Sequence, residues 1–253
     1  MVRCSVWAGS LLRHGTACAI IAGVSEYRIG ANLRAVRERI AASAAKVGRD
    51  PLSVTIVAVT KTQSVHSIHA AYELGLRDFG ENRLEEAEDK FGLLPDDIRW
   101  HMVGHVQSRK ASRVVGRYTL LHSMDSVKLA HRLNRFRSEA GCRVPVLLEV
   151  NASGEASKHG FSPESIEAAV EALSEFQQLQ IQGLMTMAPI VADPELTRPV
   201  FACLFSLRLR LSARFPECDW RHLSMGMTDD LDVAVEEGAT LVRVGRAIFG
   251  ERH

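Results

Sequence analysis

Val54-Thr55-Ile56-Val57-Ala58-Val59-Thr60-Lys61 is an unbroken run of β-branched and small apolar residues that ends abruptly in a lysine. A run of this length and composition reads as a strand buried on both faces, the kind found in parallel sheets. Lys61 then stands at its C-terminal tip, the end at which parallel α/β folds keep their chemistry. A lysine there can act as a nucleophile, as a phosphate ligand or as a structural ion-pair partner, and a solvated strand end is the commonest case.

Outward from this strand the pattern alternates. Ahead of it, Ile29, Leu33, Val36 and Ile40 recur at helical spacing between about Ser25 and Lys46, with Gly48 and Pro51 as stop signals, which predicts an amphipathic leading helix. After it come a helix near Val65 to Leu74, the strand RDFG, a helix near Arg83 to Phe91, RWHMVG, a short helix after Gln107, TLLHSM and a helix from Val127 to about Ala140. The beat continues through VPVLLEVN, a helix from Pro163 to about Phe176, LQIQGLMTM, a helix from about Glu195 to Phe215, DWRHLSM, a helix from Asp229 to Glu237, and TLVRVG. Eight strands alternating with helices, without a hairpin signal, predict a single (β/α)8 TIM barrel over residues 25–253. The alternative is a doubly wound sheet, which would place a glycine-rich turn after the first strand; TKTQSV has no glycine.

Composition narrows the function class. With 31 basic and 30 acidic residues the net charge is +1, so no electrostatic footprint for nucleic acid or an anionic membrane is visible. No apolar run reaches the roughly 18 residues that would span a bilayer. Five widely spaced cysteines without a C-x-x-C pair favour reduced thiols and a cytoplasmic location. Residues 1–24 are expected to form a poorly ordered tail, since Arg13 and His14 interrupt what would be the apolar centre of a targeting peptide.

In a barrel all strand tips face one mouth. Two places there carry chemical promise. Ser224-Met225-Gly226-Met227-Thr228 after strand seven and Val244-Gly245-Arg246 after strand eight lie where barrels commonly bind phosphate, because glycines let backbone N–H groups approach the anion and the Ser224 hydroxyl can donate. A helix cap and an ordinary strand end would produce the same segments. The second place is Lys61, adjacent to strand eight once the barrel closes. An amine facing a phosphate pocket suits pyridoxal 5′-phosphate, whose aldehyde condenses with lysine. Arg243 alternates with Val242 and Val244, so it could point inward as a partner for the ring nitrogen, or equally pair with an interior carboxylate. Lys158, in SGEASKHG, is a possible second amine near the mouth, with a solvated loop lysine as the default. His101 and His105 form H-x3-H on a strand and its turn, where metal binding is not expected, and Glu85, Glu86, Glu88, Asp89 and Lys90 read as a solvated helix face.

The segments VAVTKTQSVHSIHAAYELGLRDFGENRLEEAEDK, WHMVGHVQSRK, LLEVNASGEASKHGFSPE, GLMTMAP and HLSMGMTDDLDVAVEEGATLVRVGRAIFGER together resemble the YggS-like pyridoxal phosphate homeostasis family, over roughly Val54 to Arg252. The resemblance implies a barrel of the alanine racemase N-terminal-domain type, with Lys61 as the Schiff-base lysine. It also implies Ser224, Gly226, Gly245 and Arg246 on the phosphate side, Arg243 near the ring nitrogen and Asn82 lining the pocket. At Arg246 many relatives carry a small or hydroxylated residue, so the backbone N–H rather than the side chain is the part that carries over. The function implied is a carrier or buffer of the cofactor without efficient catalysis, expected to be monomeric and to supply apo-enzymes that use pyridoxal phosphate. The alternative is a racemase-like enzyme. Such an enzyme needs a second base, which alanine racemase takes from a tyrosine of a further domain, and Tyr27, Tyr72 and Tyr118 are all expected away from the mouth.

Overall fold

The computed structural model describes residues 11–138, 143–155 and 158–251. Its strands are β1 (Thr55–Val59), β2 (Asp78–Glu81), β3 (Arg99–Met102), β4 (Leu120–Met124), β5 (Val144–Glu149), β6 (Leu179–Met185), β7 (His222–Ser224) and β8 (Leu241–Val244). They pair in sequence order, all parallel, into one closed barrel. Closure is made by β1 against β8, with Ile56 opposite Val242 and Val57 opposite Arg243, and this brings the Lys61 tip beside Gly245. The doubly wound alternative is thereby excluded.

Helices α1 (Leu11–Lys46), α2 (Val65–Glu73), α3 (Leu84–Phe91), α4 (Val127–Ser138), α5 (Ile166–Ser174), α6 (Arg198–Arg214), α7 (Leu231–Glu236) and α8 (Arg246–Phe249) surround it. The leading helix starts well ahead of the expected Ser25 and takes in part of the stretch read as a tail; residues 1–10 of that stretch lie outside the described residues. The expected end of α4 near Ala140 also lies outside them. After β3 the connection is a 3-10 helix, Ser108–Arg113. The expected helix from Glu195 divides at Pro199 into a 3-10 turn, Pro194–Thr197, and α6, because proline favours the first turn of a helix.

Helix α1 buries Ile29, Leu33, Val36 and Ile40, the stripe its spacing predicts, together with Ala44, and packs against α7, α8 and α2. Polar ties hold it there. Arg39 forms a fork onto Asp232 of α7 at 3.2 and 2.6 Å, and Asn32 Nδ2 donates to Ile248 O at 2.9 Å. The main core lies between strands and helices, while Val57, Val103, Leu120, Leu147, Met185 and Leu241 form a separate apolar cluster inside the barrel. No helix among the described residues is long and apolar enough to cross a membrane.

Candidate functional site

The β1 tip is held by a buried polar knot. Lys90 of α3 is only 8% exposed, and its Nζ donates to Thr60 O at 2.9 Å and to Glu81 Oε1 at 2.7 Å. Thr60 Oγ1 donates to the same carboxylate oxygen at 2.6 Å. The solvated-face reading of α3 is therefore corrected at Lys90, which the i, i+3 spacing from Ala87 turns inward. Other members of that face are also engaged: Glu85 pairs with Lys110 and Arg113, Glu88 with Arg113, and Glu86 accepts the Thr62 N–H at 3.1 Å. Thr62 has φ +64°, a left-handed conformation that is costly for a β-branched residue. This strained turn follows Lys61 directly and, with the knot beneath it, sets where the half-buried lysine leaves the strand.

Inside the barrel a continuous hydrogen-bonded chain runs from β2 to β8. Arg243, 6% exposed, can only donate, and the Asp78 carboxylate can only accept. Arg243 donates through NH1 to Ser224 Oγ at 2.7 Å, and Ser224 Oγ lies in hydrogen-bond contact with His122 Nδ1 at 2.8 Å. His122 Nε2 shares a hydrogen bond with His101 Nδ1 at 2.9 Å, and His101 Nε2 donates to Asp78 Oδ1 at 3.1 Å. His122 is neutral in this arrangement. Burial, with His101 and Arg243 alongside, holds the His122 pKa well below the usual imidazole range. Burial alone would raise the Asp78 carboxyl, but hydrogen bonds from His101 and Arg99 outweigh it and hold it at about 2. Arg243 also donates through NH2 to Thr186 O at 2.9 Å. Among the described residues neither of its hydrogen-bond partners is a carboxylate, so the interior ion pair considered from sequence is not formed. Burial brings its pKa down to about 10, which leaves it cationic at neutral pH.

The other expected residues gather around this pair unevenly. Gly226 has φ +89°, and a Cβ there would lie 2.5 Å from Ala234 Cβ, so only glycine lets this turn sit against α7. A Cβ on Gly245 would lie 3.2 Å from Val59 O, beside the β1 tip. Ser224 is fully buried with its hydroxyl committed inward, so it is not presented to the mouth as the sequence reading expected. Arg246 turns its guanidinium to Asp229 and Glu251, in keeping with a backbone role there. Asp230 accepts the Met227 N–H at 2.6 Å and Asp229 pairs with Arg246, so the two aspartates have separate uses. Asn82 lines a cleft with Leu84, His105 and Lys110 at the next strand tips. Lys158 is tied down rather than solvated: its Nζ meets Glu155 Oε1 at 2.6 Å, Met187 O at 3.1 Å and Ser153 Oγ at 3.2 Å.

Sequence reasoning missed His122, Asp78 and Glu149. A histidine inside the apolar β4 run LLHSM was the available signal, since alternation turns it to the barrel interior with Leu120. Glu149 ends β5, 8% exposed, with its carboxyl pushed up to about 7 by burial and then by the Asp125 charge. Its folded pKa lies above the unfolded value near 4.5, so the folded state keeps a proton that the unfolded chain has released. Stability is thus fully present below about pH 4.5 and falls as pH rises to about 7, by on the order of 3 kcal/mol. Glu149→Gln should stabilise the protein by that order at pH 8 and leave it nearly unchanged at pH 4. Urea unfolding at the two pH values checks this, and equal effects at both would remove the titration as the cause.

Comparison with known proteins places this geometry. The family described as alanine racemase, N-terminal domain, matches residues 31–253. The pyridoxal phosphate homeostasis protein of Pseudomonas aeruginosa is 40% identical over 225 residues, covering 88% of this chain and 96% of the relative. The chain belongs to the pyridoxal phosphate homeostasis family. The member from Aquifex aeolicus is 37% identical, over 87% of this chain and 96% of the relative. Among solved structures, PipY of Synechococcus elongatus with pyridoxal phosphate bound is 36% identical, with a TM-score of 0.77 over 88% of this chain and 100% of that one. The family barrel of the alanine racemase N-terminal-domain type, expected from sequence, is the one observed.

Proposed function

We propose that this chain binds pyridoxal 5′-phosphate at the barrel mouth, holds it through a Schiff base on Lys61, and serves intracellular homeostasis of that cofactor as a carrier rather than an efficient catalyst. The observation that carries the reading is Arg243: a buried guanidinium, hydrogen-bonded to a hydroxyl and a carbonyl but to no carboxylate, on the strand that pairs with β1. Burying a cation without a carboxylate partner is costly, and an acceptor on a bound ligand would offset that cost. When bound, the cofactor supplies an aldehyde for a lysine amine, a phosphate and a ring nitrogen. Lys61 fits the first, the glycine turns at Gly226 and Gly245 with the Arg246 backbone the second, and Arg243 the third, with Asn82 at the pocket wall. The names of the relatives and the PipY structure with pyridoxal phosphate support the same assignment.

Two observations favour holding over turnover. A cationic Arg243, which can only donate, keeps a ring nitrogen unprotonated and so weakens the ring as an electron sink. Among the described residues the tyrosines lie elsewhere: Tyr27 is 81% exposed on α1, Tyr72 hydroxyl donates to Asp97 at 2.7 Å, and Tyr118 packs in the outer core. Apo-enzymes that use the cofactor are the recipients we expect. An absorbance spectrum of purified protein, then borohydride reduction and peptide mapping, tests the binding and names the lysine. Racemase, transaminase or decarboxylase turnover of about 1 per second or above would overturn the carrier role while leaving the binding intact.

A further inference from the structure

The two histidines of H-x3-H are separated by the fold: His101 enters the barrel interior, while His105 stands at the mouth beyond Gly104. A Cβ on Gly104 would lie 2.1 Å from Asn82 O, so this turn packs backbone against backbone and fixes where His105 emerges. Asp125, the residue after β4, brings its carboxylate Oδ2 to 2.8 Å from His105 Nδ1, with its own side chain only 8% exposed. His159 arrives from the loop after β5. That loop is clasped to the strand by Phe161 N–H donating to Glu149 O at 2.8 Å and Asn151 N–H donating to Phe161 O at 2.9 Å. The His159 ring stacks on His105, centroids 4.2 Å apart and planes 13° from parallel. One donor atom from each of His105, Asp125 and His159 lies within 4.8 Å of the others.

We propose that His105, Asp125 and His159 form a binding site for a divalent transition-metal ion of the zinc class, on the β3–β5 side of the mouth. Two imidazoles and a carboxylate suit a borderline ion such as Zn2+ or Co2+, whereas Mg2+ and Ca2+ prefer all-oxygen sets. Zinc–nitrogen distances of roughly 2.0–2.1 Å place tetrahedral donors about 3.3 Å apart, so the cluster must tighten by about 1 Å or more. Both imidazoles can move, since the His105 side chain is 40% exposed and His159 is exposed, while Asp125 provides the fixed point. The ion takes the place of the hydrogen between His105 Nδ1 and Asp125 Oδ2, the neutral imidazole then carrying its N–H on Nε2, and His159 turns out of the stack to direct a lone pair at it.

The site lies across the barrel from Gly226 and Gly245 and does not depend on what binds there.

Purified full-length protein, treated with chelator and dialysed, is titrated with Co2+ while its visible ligand-field bands are followed, and then with Zn2+ as competitor. One saturating equivalent is expected, displaced by Zn2+, with His159→Ala and Asp125→Asn each weakening binding by more than about tenfold. His159 is exposed on its loop, so near-UV circular dichroism of His159→Ala should match the parent and keep the loss attributable to a ligand. Absence of saturable binding, or equal affinity in the His105→Ala/His159→Ala double variant, would overturn the assignment.

Discussion

Replacing Lys61 by alanine should abolish covalent retention of pyridoxal phosphate: the visible absorbance of the imine disappears and borohydride fixes no cofactor to the chain. The expectation follows from position. Lys61 leaves β1 between the buried Thr60 and the strained Thr62, next to Gly245 across the seam that closes the barrel. Lys158, the other amine near the mouth, lies on the loop after β5 and is bonded there to Glu155, Ser153 and the Met187 carbonyl, away from the β1–β8 seam. Arg243 and the glycine turns remain in the variant, so weaker non-covalent binding should persist. Mass spectrometry of the reduced, digested protein decides it, and cofactor recovered on Lys158 or any other lysine would defeat the assignment of Lys61.

The largest loss of stability should come from Lys90→Met. The methionine fills similar space but leaves Glu81, fully buried, without its cation, and leaves Thr60 O without its donor. Glu81 Oε2 already lacks a hydrogen-bond partner, so the carboxylate has nothing in reserve. Breaking one side of a buried pair typically costs about 3–5 kcal/mol, whereas replacing both partners by apolar groups is often neutral. Lys90→Met should therefore lose about 3–5 kcal/mol in urea unfolding, and Glu81→Leu added to it should recover most of that loss. A single-variant loss below about 1 kcal/mol would show that the pair contributes little. Because Thr60 adjoins Lys61, the single variant should also reduce the fraction of cofactor fixed by borohydride.

Much of the fold was legible because it is written in local periodicity. The run from Val54 to Thr60 has the composition of a two-faced buried strand, the leading helix shows its stripe at Ile29, Leu33, Val36 and Ile40, and the strand–helix beat has one economical closed solution. Lys61, Gly226 and Gly245 were visible for the same reason: a charged residue ending an apolar strand and glycines after the last two strands are features of a few consecutive residues. Element ends were less legible. Pro199 places the start of α6, yet the 3-10 turn before it satisfies the same helical pattern.

What escaped the sequence is pairing over distance. Lys90 looked like one charge among many on α3 because its partner, Glu81, sits on a strand whose inner and outer faces only the barrel distinguishes. Ser224 looked like a phosphate donor because nothing near it in the chain announces His122, which lies 102 residues away. The same is true of His105, whose apparent partner by spacing was His101 but whose neighbours in space are Asp125 and His159. By itself the sequence of this protein determined an eight-beat barrel and a lysine at the mouth, since hydrophobic period and strand ends are local properties. The tertiary structure alone decided which polar groups share a proton or a charge, since inward-facing side chains from non-adjacent strands meet only when β1 closes on β8.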